Sequence, residues 1–205
     1  MSQLTVDSIN GVFSLYQKYG EKGYIGETIT QLEHATQAAM SAEKEEYFNF
    51  PELIISAFLH DIGHLLCYQN ESLELMGNFG VKNHELIGAN YLRDKGFPEI
   101  ICKLVGGHVA TKRYLISKDK SYYDNLSEAS KETYKRQGGT MTSEEINVFE
   151  KDNLFILHIK MREYDDKAKL DDQETLESIK NLNPIDFYRD FAIKTLIENK
   201  KSKIY

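Results

Sequence analysis

Apolar residues recur along this chain at helical spacing. Ile9, Val12, Phe13 and Tyr16 fall at i, i+3, i+4 and i+7 and predict a helix with one buried stripe. Leu32, Ala35 and Ala39 predict a second, with Thr36 completing the same face. Pro51, suited to a first helical turn, opens a third through Leu53-Ile54-Ile55-Ser56-Ala57-Phe58-Leu59, and the pattern carries it on to His64. Gly96-Phe97-Pro98 ends one helix and starts the next, through Ile100, Leu104 and Val105. Thr142-Ser143-Glu144-Glu145 has the form of a capping box ahead of one long helix holding Phe149, Ile156 and Ile159. Asn183-Pro184 opens a last amphipathic helix with Ile185, Tyr188, Phe191, Ala192 and Ile193 on its apolar side. Gly77 to Gly80 and Arg136 to Gly139 read as loops. The polar stretch from Glu198 to Lys203 reads as a frayed, solvated end. No internal repeat interrupts the pattern. It predicts an all-α bundle, one domain spanning residues 1–205.

Composition narrows what such a bundle does. At 205 residues and 41% hydrophobic, the chain is long enough for a sizeable core. A formal net charge of −7 argues against nucleic-acid binding, which needs a basic face. The opening residues lack the basic and apolar regions of a signal peptide, and no stretch nears the ~20 apolar residues of a membrane span. Cys67 and Cys102 show no CxxC spacing, so no disulfide framework is expected and a cytoplasmic location fits.

The chemistry concentrates in His60-Asp61-Ile62-Gly63-His64, where histidine and aspartate sit on an otherwise apolar segment. Such groups are costly to bury unless something pairs with them. Imidazole and carboxylate together suit Fe, Zn or Mn. His34, His84 and His108 lie on three further predicted helices, and bundles build metal sites from ligands that project inward from facing helices. Any one of these histidines alone reads as an ordinary core or surface residue. Five of them around a His-Asp doublet do not. His158 has no such context and reads as structural.

The order His34, then His60-Asp61, then a late Asp165 resembles the HD-domain superfamily, and the addition of His84 and His108 resembles its dinuclear branch. Most members of that superfamily are phosphohydrolases, but three features point elsewhere. His64 stands where many dinuclear phosphodiesterases of the superfamily carry lysine. Tyr24-Ile25-Gly26-Glu27 precedes Gln31-Leu32-Glu33-His34. Arg162-Glu163-Tyr164-Asp165-Asp166-Lys167-Ala168-Lys169 resembles the Arg-x-aromatic-Asp-Asp-x-Ala-Lys segment of the HD-type mixed-valent di-iron oxygenases. The resemblance to the organophosphonate-cleaving members of that group runs from about Tyr24 to Lys169, and is more distant to myo-inositol oxygenase. The domain core is accordingly expected at about residues 24–170.

The resemblance implies a mixed-valent Fe(II)/Fe(III) pair. His34, His60 and Asp165 would hold one iron, His84 and His108 the other, and Asp61 would bridge them. Tyr24 would occupy the second iron until substrate displaces it, and Glu27 would meet a substrate amine. His64, Lys112 and Arg162 would surround a phosphonate, with Ser130 and Gln137 as further contacts. Spacing is compatible with this, since Lys112 lies four residues after His108 and Arg162 three before Asp165, each on the helical face of a ligand. The implied activity is dioxygen-dependent cleavage of the carbon–phosphorus bond of a small 1-hydroxyphosphonate. The foremost substrate is 2-amino-1-hydroxyethylphosphonate, giving glycine and phosphate without an organic cofactor, and no GxGxxG fingerprint is present. Two other readings compete: a dinuclear phosphohydrolase acting on a nucleotide or other phosphate ester, and a degenerate HD module used for signalling or scaffolding. Oligomeric state is open. The ligand set predicts that the six candidate ligands converge in one cavity on two metal positions, with metal–ligand distances of roughly 2.0–2.2 Å.

Overall fold

The computed structural model describes residues 3–44 and 50–198. From the N-terminus the helices are α1 (Val6–Tyr19), α2 (Gln31–Glu43), α3 (Pro51–Leu59), α4 (Ile62–Leu65), α5 (His84–Asp94) and α6 (Glu99–Lys118). They continue as α7 (Lys120–Asn125), α8 (Glu128–Arg136), α9 (Ser143–Glu150), α10 (Phe155–Lys167), α11 (Gln173–Leu182) and α12 (Pro184–Ile193). Among the described residues the only strand-like pairings are two isolated bridges, Gly23 with Thr30 and Leu75 with Val81. The protein is an all-α bundle. The polar end read from Glu198 to Lys203 lies outside the described residues from Asn199 onward.

α3 is the centre of the bundle, with Leu53, Ile55, Ser56, Ala57, Phe58 and Leu59 all buried. A helix apolar on every side is stable only when surrounded. α2 and α6 flank it, α5 runs along α6, and α10 crosses α2, α3 and α6. On the other side Phe58 meets Phe13 of α1 at 5.4 Å and Tyr188 of α12 at 4.8 Å between ring centroids. The stripe Ile9, Val12, Phe13 and Tyr16 is buried as its spacing predicts. At the start of α2, Thr30 and Glu33 cap each other's backbone in a full capping box, which fixes where the helix bearing His34 begins.

Two helices expected to be continuous are broken. α3 stops at Leu59, and the chain turns through His60 and Asp61 before α4 begins. The carbonyl of Ala57 accepts from the His60 ring at 2.8 Å, and that of Phe58 from the Tyr16 hydroxyl at 2.9 Å. These side chains take up carbonyls in the last turn of α3, where a helix end otherwise leaves them without partners. The long helix expected after Thr142 is likewise split. The capping box forms, but α9 ends at Glu150, and the Asp152 carboxylate accepts from the Leu154 amide at 2.7 Å to start α10. α7, α8 and α11 are helices without a long apolar stripe. The two expected loops are also shorter than read: Gly77–Phe79 form a 3₁₀ turn, and Arg136 closes α8.

α4 and α5 meet through glycine. A Cβ built on Gly63 would lie 2.0 Å from the backbone oxygen of His84, so only glycine permits this approach. Gly63→Ala is expected to destabilise the fold by about 1–3 kcal/mol through overpacking. Gly11→Ala in α1 meets nothing within 4 Å and is the control, expected to be neutral or to stabilise by roughly 0.5–1 kcal/mol. Denaturant titration of both variants checks the contrast.

Candidate metal centre and its cavity

Six side chains from five parts of the fold converge: His34 on α2, His60 and Asp61 in the turn between α3 and α4, His84 at the start of α5, His108 midway along α6 and Asp165 near the end of α10. His34, His60, His84 and His108 are buried to 4% exposure or less, as is Asp165, with Asp61 at 7%. They divide into two groups around Asp61. Its Oδ2 lies 3.6 Å from His34 Nε2 and 3.4 Å from His60 Nε2. Its Oδ1 lies 3.3 Å from His84 Nε2 and 3.4 Å from His108 Nε2. Asp165 Oδ1 joins the first group, 3.5 Å from His34 and 3.9 Å from His60. One carboxylate thus presents a separate oxygen to each pair of imidazoles.

The tautomers follow from the ring partners. Nδ1 of His34, His60, His84 and His108 faces the carbonyl oxygen of Ala168, Ala57, Val81 and Val105, at 2.7, 2.8, 3.3 and 2.8 Å. A carbonyl only accepts, so each Nδ1 carries the proton and each Nε2 offers a lone pair. Those lone pairs meet in twos: His34 Nε2 is 3.0 Å from His60 Nε2, and His84 Nε2 is 3.0 Å from His108 Nε2. Two buried lone pairs at that distance repel unless a proton or a cation lies between them. Ligand atoms about 2.1 Å from a metal and at right angles to each other stand about 3.0 Å apart, so the separation fits a cation. The donation of Nδ1 to a backbone carbonyl is the usual way a ligating histidine is oriented.

Electrostatics agree with a cationic occupant. Burial alone would raise the Asp61 carboxyl, but His60, His108 and His84 hold it well below the carboxylate range. Burial is likewise overcome at Asp165, held low by Arg162, His60 and His34. Burial and the neighbouring His60 push His34 down to about 4, while at His60 the pull of Asp61 outweighs burial and lifts it to about 9. On their facing Nε2 atoms the pair keeps a single proton beyond the two on Nδ1, and a bound metal would displace it.

His64 has the opposite tautomer. Its Nδ1 accepts from the Val81 amide at 3.1 Å, so the proton of the neutral ring is on Nε2. The ring stacks on His84 at 3.9 Å and lines the cavity, where it offers a donor instead of a ligand lone pair. Gly80, at φ 80°, makes room for it, since a Cβ there would fall 2.6 Å from the His64 ring. The i, i+4 relation of His60 and His64 is not that of one helix, because the chain breaks between them.

The remaining candidates all line one cavity in front of the two triads: Tyr24, Glu27, Lys112, Ser130, Gln137 and Arg162. The Tyr24 to Glu27 segment is a turn closed by Glu27 N–H to Tyr24 C=O at 3.1 Å, with Gly26 at φ 72°. The Tyr24 ring stacks on His34 at 3.8 Å, and burial and Asp61 push its phenol well up, so it is protonated. Lys112 is 4% exposed, donates to Thr133 at 2.9 Å, and is pushed down to about 7 by burial and by Arg162. Arg162 spends donors on Asp165 at 2.7 Å, on Tyr122 at 2.9 Å and on Asp166. It therefore orients a candidate ligand as well as facing the cavity. Glu27 Oε1 and Gln137 Oε1 are buried without a hydrogen-bond partner.

Among the lining residues that the sequence did not mark as candidates, Ile25, Val109 and Ala129 are aliphatic, and Phe79, Thr133 and Lys169 bring an aromatic ring, a hydroxyl and an ammonium. Lys169 stands in a segment whose pattern was legible, whereas Phe79 and Thr133 carry no local signal. His158 lies outside this lining, its ring against Gly107, where a Cβ would come within 2.2 Å. Among the described residues no helix is long and apolar enough to cross a membrane.

Residues 31–154 match the HD domain family, a span that ends before Asp165. An uncharacterized protein of Acanthamoeba polyphaga mimivirus is 44% identical over 95% of this chain and 84% of its own length. The [1-hydroxy-2-(trimethylamino)ethyl]phosphonate dioxygenase (glycine-betaine-forming) of Leisingera caerulea is 38% identical over 83% of each chain. The hydroxymethylphosphonate dioxygenase of Gimesia maris is 36% identical over 83% of this chain and 82% of its own.

Metal analysis of single variants tests the division into two groups. Asp61→Ala removes the carboxylate common to both and is expected to lose both ions. His84→Ala is expected to lose one and keep the ion held by His34, His60 and Asp165. Equal loss in the two variants would show that the positions do not fill separately.

Proposed function

The chain belongs to the HD domain family, and from that premise we propose that it is a di-iron, dioxygen-dependent enzyme that cleaves the carbon–phosphorus bond of a small 1-hydroxyphosphonate. The observation that carries this reading is the shared Asp61 carboxylate, one oxygen toward each histidine pair, with the Tyr24 phenol set against it. The names of two relatives support it, since both describe dioxygenases of hydroxyphosphonates. A phenol beside the bridging carboxylate would compete with the nucleophilic water that a hydrolase needs there.

The donor set of four neutral imidazoles and two carboxylates suits iron. His34, His60 and Asp165 would hold one ion and His84 and His108 the other, with Asp61 between. When bound, the pair would supply Lewis-acid binding of the substrate hydroxyl and phosphonate and activation of dioxygen. Everything else falls to side chains. Lys112 and the Nε2 proton of His64 donate to phosphonate oxygens, and the Arg162 guanidinium adds positive charge while holding Asp165 in place. Ser130 and Gln137 complete the polar wall. The turn from Tyr24 to Glu27 closes over the site and keeps water from the reacting carbon.

The Glu27 carboxylate fits a substrate with a cationic end. Among the described residues, Phe79 is the single aromatic ring in the lining apart from Tyr24 and the histidines, too few for an aromatic cage around a quaternary ammonium. A primary ammonium, with three N–H donors, suits the unpartnered Glu27 and Gln137 oxygens better. The substrate we infer is 2-amino-1-hydroxyethylphosphonate. Its reaction with one dioxygen to glycine and phosphate balances in atoms and electrons, so no reductant or organic cofactor is required.

Incubation of the iron-loaded protein with this compound, following phosphate release and oxygen uptake together, tests the reading. Equal molar amounts are expected. Phosphate released at the same rate without oxygen, or release from phosphate esters, would instead mark a phosphohydrolase. Lys112→Ala is expected to weaken substrate binding by about 10- to 150-fold, the equivalent of one charge-assisted hydrogen bond of roughly 1.5–3 kcal/mol, with iron content unchanged. Iron loss in that variant would make Lys112 a support of the α6 helix and not a substrate contact.

A further inference from the structure

Lys169 follows α10 in the short link before α11, and its flanks are pinned. The Ala168 carbonyl accepts from the His34 ring at 2.7 Å, and Leu170 exchanges two hydrogen bonds with the Gln37 amide at 2.8 and 2.9 Å. Asp171 accepts from the Thr28 hydroxyl at 2.7 Å, which ties the same link to the turn that carries Glu27. The backbone is fixed, while the Lys169 side chain reaches into the cavity.

Its ammonium is bonded on one side only. Nζ donates to Ser130 Oγ at 3.0 Å and weakly to Ser127 Oγ at 3.4 Å. Glu27 Oε1 is 3.8 Å away, close enough for charge attraction and too far for a hydrogen bond. That same oxygen is buried with no hydrogen-bond partner. The carboxylate therefore has a counter-ion held short of contact, beside a cavity that a smaller cation can enter.

Resting on the substrate reading above, we propose that Lys169 is an exchangeable counter-ion for Glu27 and determines specificity. It balances the carboxylate in the free protein and is displaced from it by a substrate ammonium. A substrate ammonium can do what Lys169 does not, which is to donate directly to Glu27 Oε1. A substrate without a cation leaves the Lys169–Glu27 pair in place and depends on it, because an unbalanced Glu27 would repel the incoming dianion. Lys169 thus acts in opposite senses on the two kinds of substrate.

The test is calorimetric titration of the anaerobic, iron-loaded protein with 2-amino-1-hydroxyethylphosphonate and with hydroxymethylphosphonate. Lys169→Met is expected to bind the amine compound more tightly and hydroxymethylphosphonate more weakly. The ratio of the two dissociation constants should shift by about tenfold, a typical size for coupled charges. Lys169→Gln, which keeps a donor for Ser130 but loses the charge, is expected to shift it the same way and guards against a packing effect of the methionine. In a Glu27→Gln background, Lys169→Met should no longer tighten the amine compound. Equal weakening of both compounds would overturn the proposal and make Lys169 a direct phosphonate contact. An unmoved ratio would overturn it as well. Absence of oxygen-dependent phosphate release by the wild type with either compound removes the function and this inference together, whereas release with an unmoved ratio removes the inference alone.

Discussion

Four imidazoles whose lone pairs face each other in twos at 3.0 Å, all buried, set the terms for the rest of this molecule. Such an arrangement is repulsive in isolation and holds only if positive charge lies between the rings. Each ring is turned into it by a backbone carbonyl that fixes the Nδ1 proton. The carboxylates of Asp61 and Asp165 remain ionised in the same volume and prepare it for cations. The chain around the centre is shaped to keep these groups there.

The break between α3 and α4 is the clearest case. A continuous helix would carry Asp61 about 100° round from His60. Here His60 keeps helical dihedrals, the chain departs from the helix at Asp61, and the two side chains meet at 3.4 Å with the His60 ring oriented by the carbonyl of Ala57. Gly63 then allows α4 to press against the first residue of α5, which is His84. The glycine in the doublet's wake and the position of the third histidine are one packing event. A local departure from helical regularity at a functional site is where sequence-level rules are expected to fail.

In front of the two groups the cavity carries charge of both signs. Lys112, Arg162 and the His64 donor line it together with Glu27, and Lys169 stands between Glu27 and Ser130. The turn holding Tyr24 and Glu27 is short, closed by Glu27 N–H to Tyr24 C=O and, around it, by Tyr24 N–H to Ile29 C=O, and fastened by Thr28 to the link after α10. The turn bearing Glu27 and the carbonyl that orients the His34 ring are therefore mechanically joined at Ala168 to Asp171.

The all-α class, the stripe of α1, the glycine–proline boundary before α6 and the capping box at Thr142 were all legible in the sequence. They depend on near neighbours: periodicity, caps and proline act within a turn or two of the chain. The candidate ligands were legible too, because histidine and aspartate in an apolar run stand out by residue type and the order of the ligands resembles a known pattern. Tertiary structure alone decided which histidines pair, that Asp61 gives one oxygen to each pair, and that His64 carries its proton on the opposite nitrogen. It also decided where two expected helices break and that Lys169 faces Glu27. The break before α10 is marked by the local Asp152–Leu154 bond, but the others depend on partners far along the chain, such as His34 with Ala168 or Lys169 with Ser130, and no local pattern encodes a contact made only when distant helices close on one another.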